Sequence, residues 1–235
     1  MCTLTYLPKP DGFILTSSRD EFHLRNALPP KAYRHANGIL YYPRDPEAGG
    51  TWFGWQPNGT ALVLLNGAFE KHIRLIPYRR SRGLILLDLL NESDILAAWS
   101  CIDLDAVEPF TLIACFDNEM WQMVWDGAHK YTQSVPANEP HIWSSATLYD
   151  LAARAQRTSW FQQFMEKNSA PNPADLMDFH QTPHGDDPSI DLLMTRNKEL
   201  KTLSITQLTF TTPHWHYSHE DLLEQTLHQQ AYVVI

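Results

Sequence analysis

Cysteine is scarce in this 235-residue chain, with only Cys2, Cys101 and Cys115. Three scattered thiols are too few for a disulfide framework or a Cys-x-x-Cys metal site, and a reducing compartment fits them best. Basic charge is also short: 18 Lys+Arg stand against 27 Asp+Glu, a formal net charge of −9. That balance argues against a general nucleic-acid or anionic-membrane surface. No run approaches the roughly 20 apolar residues of a membrane span. The N-terminus lacks a basic segment leading into a long apolar one. The expectation is a cytoplasmic protein with no transmembrane segment and no nucleic-acid partner. A Walker phosphate loop, Gly-x-Gly-x-x-Gly, His-Glu-x-x-His and Gly-x-Ser-x-Gly are all missing, so nucleotide-dependent and zinc-protease chemistry lose their usual support. There is no internal repeat or low-complexity tract.

What is present suffices for one sizeable core, because 43% of the residues are hydrophobic and 11% aromatic; a single domain over 1–235 is expected. Thr3 to Leu7 and Phe13 to Ser17 read as strands around the turn Pro8-Lys9-Pro10-Asp11-Gly12. With Leu7 set opposite Phe13, Cys2 falls near Ser18 and Arg19, within two residues or so. A loop rich in Pro, Arg and His follows. Gly49 to Trp55 and Ala61 to Asn66 then flank Asn58-Gly59, a strong hairpin signal. The unbroken apolar run Ala61 to Leu65 reads as a strand buried on both faces, which requires covering layers above and below. Arg82 to Leu90, Glu92 to Ile102 and Leu148 to Met165 have helical apolar spacing. Phe110 to Phe116, Met120 to Trp125 and His129 to Thr132 read as an antiparallel meander. Residues 168–187 read as a partly helical excursion, Leu200 to Thr211 as a strand, Ser218 as the cap of a short helix with Asp221 at its third position, and Tyr232 to Ile235 as a closing strand. The fold class is α+β: two mainly antiparallel sheets face to face with helices outside.

The chemistry concentrates at the start of the chain. Removal of Met1 makes Cys2 the terminal residue, a thiol carrying its own α-amine. That amine has a pKa of about 7.7–8.0, against ~10.4 for lysine, and can accept the thiol proton. Arg19 would favour the thiolate, and Asp20 or Glu21 would orient the amine; an ion pair or turn at a strand end is the plainer reading of Arg-Asp-Glu. Asn66, ending the apolar strand, is placed to donate to an oxyanion, or else Asn66-Gly67 only turns the chain. Gly49 and Gly50, with Thr51 and Trp52 beside them, either let backbone approach a ligand or bend the chain. His214, His216 and His219 form the one suggestive histidine cluster, with His214 and His216 on one strand face. No fourth ligand is evident and no metal is assigned. The remaining tryptophans read as core or pocket walls.

In order, MCTLTYLP, SSRDE, PRDPEAGGTWFGW, NGTALVLLNG and RSRGLILLDLL resemble the NRDE family, also called the transport and Golgi organization protein family, over about the first ninety residues. Later, HIWSSATLYD is similar to a family segment and LKTLSITQL matches loosely. The resemblance implies an N-terminal-nucleophile (Ntn) hydrolase fold, a four-layer αββα sandwich. It also implies a cysteine-type acylase that cleaves a C–N amide bond of a small molecule, with Cys2 as nucleophile, Arg19 assisting the thiolate and Asn66 at the oxyanion. No cofactor is required. Family members are also associated with haem trafficking and lipid homeostasis, so the alternative is a non-catalytic carrier with haem or a lipid-like ligand as cargo, for which His214 and His216 are candidate contacts. The chain departs from the family pattern in four places. Ser18 replaces the Asn of Asn-Arg-Asp-Glu. Phe22 stands where related acylases place an Asp, leaving Asp20 first and Glu21 second. Ser144-Ser145-Ala146 stands where they offer an Asn, and Leu203 where an Arg is often found. Oligomeric state is not legible.

Overall fold

A computed structural model describes residues 3–74 and 77–233. Strands β1 (Thr3–Lys9) and β2 (Gly12–Phe22) form the first hairpin, and β3 (Leu28–His35) and β4 (Gly38–Arg44) a second. Next come β5 (Phe53–Trp55), β6 (Ala61–Asn66), α1 (Arg82–Leu90) and α2 (Ile95–Cys101). The meander β7 (Phe110–Phe116), β8 (Glu119–Trp125), β9 (Lys130–Val135) leads to β10 (His141–Ser144), α3 (Leu151–Lys167) and α4 (Pro173–Gln181). The chain ends with β11 (Thr195–Arg196), β12 (Leu200–Thr211), β13 (His214–Asp221) and β14 (Thr226–Val233).

One sheet has the order β10-β1-β2-β12-β13-β14, with β11 on β12; the other runs β3-β4-β5-β6-β7-β8-β9, and every ladder is antiparallel. Strand β6 shows why the layers stack. Its alternate residues Leu62 and Leu64 join a core with Ile85, Leu86, Leu89 and Trp99 of the first two helices. Ala61, Val63 and Leu65 face Leu4, Tyr6, Leu15 and Trp215 of the other sheet. On that sheet's outer face Leu7 and Ile14 meet Trp160, Phe161, Leu176 and Phe179 of α3 and α4. The result is the four-layer αββα sandwich.

Differences from the sequence reading have physical causes. The β1–β2 register pairs Leu7 with Ile14, one residue from the expected Phe13. The stretch read as loop contains the β3–β4 hairpin; its Pro29 and Pro30 sit at a register shift in an edge strand, where a missing N–H is tolerated. Ser218 caps no helix: Ser218 to Asp221 lie in β13, with Ser218 opposite Gln207 and Gln229. Asp221 instead accepts from the N–H groups of Leu223 and Glu224 in the turn that follows. Of the expected closing strand, Tyr232 and Val233 belong to β14, while residues 234 and 235 lie outside the described residues.

Candidate active site

Strand alternation decides which polar side chains of β2 can meet. Arg19 and Glu21 line a cleft of about 80 Å³ with Asn66 at the end of β6, the loop residues Gly50, Thr51 and Trp52, and Arg82 at the start of α1. The Arg19 side chain is only 4% exposed. It donates through Nη1 to the Arg25 carbonyl at 2.7 Å, and its guanidinium stacks 4.7 Å from the Trp52 ring centre. Asp45 holds the neighbouring Arg25 at 2.8 Å and stands 3.9 Å from Arg19. Glu21 lies 3.3 Å from Arg25. Such a site keeps positive charge beside the start of β1, whose Thr3 pairs with Ser18.

Asp20 points to the opposite face of the sheet. Its Oδ2 accepts the Tyr149 hydroxyl and its Oδ1 the Thr202 hydroxyl, each at 2.7 Å. The two candidate carboxylates are thus separated by the pleat, Glu21 in the cleft and Asp20 under the α3 layer. Cys2 itself lies outside the described residues. Leu203 falls in a bulge of β12 between the partners of Arg19 and Asp20, so no basic side chain enters from that position.

The glycine pair divides its roles. Gly49, at φ +73°, turns the chain after Asp45. A Cβ at Gly50 would lie 2.5 Å from the Gly83 backbone, so this glycine admits the start of α1 to the cleft wall. Arg82, at the first helical position, pairs with Glu108 at 3.1 Å and is held below the ordinary arginine range chiefly by burial. Glu108 also binds His72 at 3.2 Å and Arg74 at 3.5 Å, fastening the segment after β6.

Behind the cleft, the Ser145 hydroxyl donates to the Asn66 carbonyl at 2.7 Å. A Cβ at Gly67 would meet Thr147 at 3.0 Å. Ala146 and Thr147 in turn wall a larger hollow of about 720 Å³ with Leu148, Leu151, Arg154 and Arg196. Arg25, Asp45 and Arg82 carried no functional signal in sequence beyond lying in or near the quoted motifs; only folding brings them to Arg19.

His214 and His216 are elsewhere. Their β12 partners, Thr211 and Thr209, lie roughly 24 and 17 Å along the sheet from Ser204, the partner of Arg19, at ~3.4 Å per residue. They line a separate depression with Trp215 and Tyr232. His219 is buried within β13, bonded to Thr206 at 2.8 Å. Among the described residues no group of three or more His, Cys, Asp or Glu is placed to hold a metal ion. Buried Cys115 has its thiol pushed up to about 12 by desolvation, which disfavours the thiolate that a nucleophile needs.

The family model described as Transport and Golgi organisation 2 matches residues 1–221. The chain belongs to that family. It shares its fold with solved structures of the Ntn-hydrolase fold. A Caenorhabditis elegans N-acylethanolamine-hydrolyzing acid amidase ortholog is 15% identical, with a TM-score of 0.57 over 88% of this chain and 92% of that one. A cysteine-to-alanine mutant of the conjugated bile acid hydrolase from Clostridium perfringens is 10% identical, with a TM-score of 0.54 over 99% and 96%. An arginine-to-leucine variant of the same hydrolase gives 10% and 0.55 over 99% and 98%. No curated protein matches the chain. No helix among the described residues is long and apolar enough to cross a membrane.

Proposed function

We propose that this member of the Transport and Golgi organisation 2 family is an N-terminal-cysteine hydrolase acting on a C–N amide bond of a small molecule. The observation that carries the reading is the convergence of Arg19, Glu21 and Asn66 on one cleft at the end of β2, in a fold shared with amide-cleaving enzymes. With Met1 removed, the Cys2 amine takes the thiol proton, and the thiolate attacks the amide carbon. Arg19 favours the thiolate, and Asn66 donates to the oxyanion. The protonated amine returns the proton to the leaving nitrogen as the C–N bond breaks, and water then cleaves the thioester to release the acid. The hollow walled by Ala146 and Thr147 falls within the usual size of small-molecule sites, about 300–1,000 Å³.

The test is turnover of an amide library by protein whose mass shows loss of Met1. Cys2→Ala is expected to abolish hydrolysis, and unchanged turnover in that variant refutes the mechanism. Asp20→Asn and Glu21→Gln then identify the carboxylate that serves the amine, by which of them lowers kcat.

A further inference from the structure

The space between the two sheets opens again at the end remote from the cleft. A cavity of about 940 Å³ lies there, walled by the β1–β2 turn, the start of β6, the β7–β8 turn and the end of β12. Phe13, in its wall, stands six residues from Arg19 on β2, roughly 20 Å along the strand at ~3.4 Å per residue. Three rings adjoin one another there: the centres of Tyr6 and Phe13 are 6.0 Å apart, and those of Phe13 and Phe210 5.7 Å. The Tyr6 hydroxyl is fixed on the Ala137 carbonyl at 2.7 Å. Phe13 and Phe210 are only half-buried, so apolar surface in this wall has no protein covering it. Deeper in, Cys115 is 3% exposed, and its thiol makes no hydrogen bond among the described residues.

The rim of this cavity is dominated by one sign of charge. Asp11 comes from the β1–β2 turn, Asp117 from the β7–β8 turn and Glu119 from the first residue of β8. Asp117 and Asn118 both have left-handed backbone, φ 52° and 60°, the tight two-residue hairpin turn that fixes where the Asp117 carboxylate sits. None of the three carboxylates has an ion pair among the described residues. Glu119 accepts the Trp121 indole N–H at 3.0 Å, a neutral partner that leaves its charge uncompensated. Lys9, also in the lining, directs its ammonium to the Pro171 carbonyl at 2.8 Å. A cleft lined by one sign of charge concentrates the opposite sign, and aromatic faces attract cations.

We propose that this cavity binds a small organic cation, its apolar body against Phe13 and Phe210 and its ammonium among Asp11, Asp117 and Glu119. The volume falls within the ~300–1,000 Å³ usual for small-molecule sites. The cavity shares no lining residue with the cleft that holds Arg19, so the inference stands apart from the amide-hydrolase reading.

The test sets phenylbutylamine against phenylbutyrate, which share a phenylalkyl body and differ in charge, by calorimetry on the full chain at low salt. The amine is expected to bind saturably and about tenfold or more tighter than the acid. The paired change Asp117→Asn with Glu119→Gln alters two exposed residues, so the fold is kept; it should weaken the amine about tenfold. Ala137→Phe puts a ring into the cavity and should abolish uptake; the rim pair decides the matter if that variant does not fold. Bound amine should also slow amide hydrogen exchange at residues 116–119 and leave residues 19–25, beside the cleft, unchanged. Absence of saturable amine binding overturns the inference, as does equal binding of the acid. Binding undiminished in the rim pair or in folded Ala137→Phe, or protection of residues 19–25 in place of 116–119, puts the amine elsewhere and overturns it too.

Discussion

His180 makes the protein acid-sensitive by an amount that can be worked out. Its ring is 0% exposed and is wedged under the first hairpin, with Nε2 2.9 Å from Thr5 Oγ1 and Nδ1 2.7 Å from Ser18 Oγ. Burial, with Arg157 and His184 adding repulsion, takes its pKa from 6.5 to about 3. Between those values the unfolded chain binds a proton at this position and the folded chain does not. Stability therefore rises with pH through that window and is lost as pH falls. From pH 7.5 to 5.0 the loss from this one group is about 2 kcal/mol. His219, buried in β13 with its pKa lowered to about 4, adds a loss of similar size over the same range. Asp126 and Asp187 are held below the ordinary carboxylate range by hydrogen bonds, so they stay ionised across this window and do not contribute. The assay is urea unfolding followed by tryptophan fluorescence at constant ionic strength, at several pH values between 5.0 and 7.5. His180→Gln will lower stability at every pH because it disturbs two buried hydrogen bonds; the slope is what matters. The variant should lose about 2 kcal/mol less than wild type between pH 7.5 and 5.0. Parallel wild-type and variant curves would refute the argument.

Other perturbations test the layers that carry the site. Leu62→Ala empties a fully buried position between β6 and the outer helices, and should cost about 2–5 kcal/mol in the same unfolding experiment. Gly83→Ala puts a Cβ 2.5 Å from the Thr51 carbonyl oxygen. Because backbone cannot yield as a side chain does, a loss of about 1–3 kcal/mol is expected, visible as a lower melting temperature, whereas an exposed helix position would gain from the same change. Asp150 accepts from the Ala153 N–H at 2.8 Å and caps α3. Asp150→Ala should cost about 1 kcal/mol, largely recovered by Asp150→Ser.

Which elements were legible in the sequence follows from where their information lies. The run Ala61 to Leu65 announces a strand covered on both faces because every residue of it is apolar, and β6 is that strand. Arg82 to Leu90 and Leu200 to Thr211 carry their own periodicity and appear with the expected bounds. Strand β3 was hidden because its prolines, arginine and histidine suit the edge of a sheet, a position no local pattern announces, and β4, its hairpin partner, was read as loop with it. Ser218 reads as a helix cap only while its neighbours β12 and β14 are unknown; pairing with both makes it strand.

The same division holds at the site. Sequence alone pointed to Arg19, Asn66 and the Gly49-to-Trp52 stretch, because these residue types sit at strand ends and turns where side chains can converge. It put Asp20 ahead of Glu21 only by resemblance, because the two differ by one residue in a strand whose register was uncertain by more than that. The tertiary structure put Glu21 in the cleft and Asp20 beneath Tyr149. Sequence alone could not find Arg25, Asp45 and Arg82. Asp45 and Glu108, which pair with Arg25 and Arg82, are distant from them in the chain, and only the stacking of sheets and helices brings those charges together.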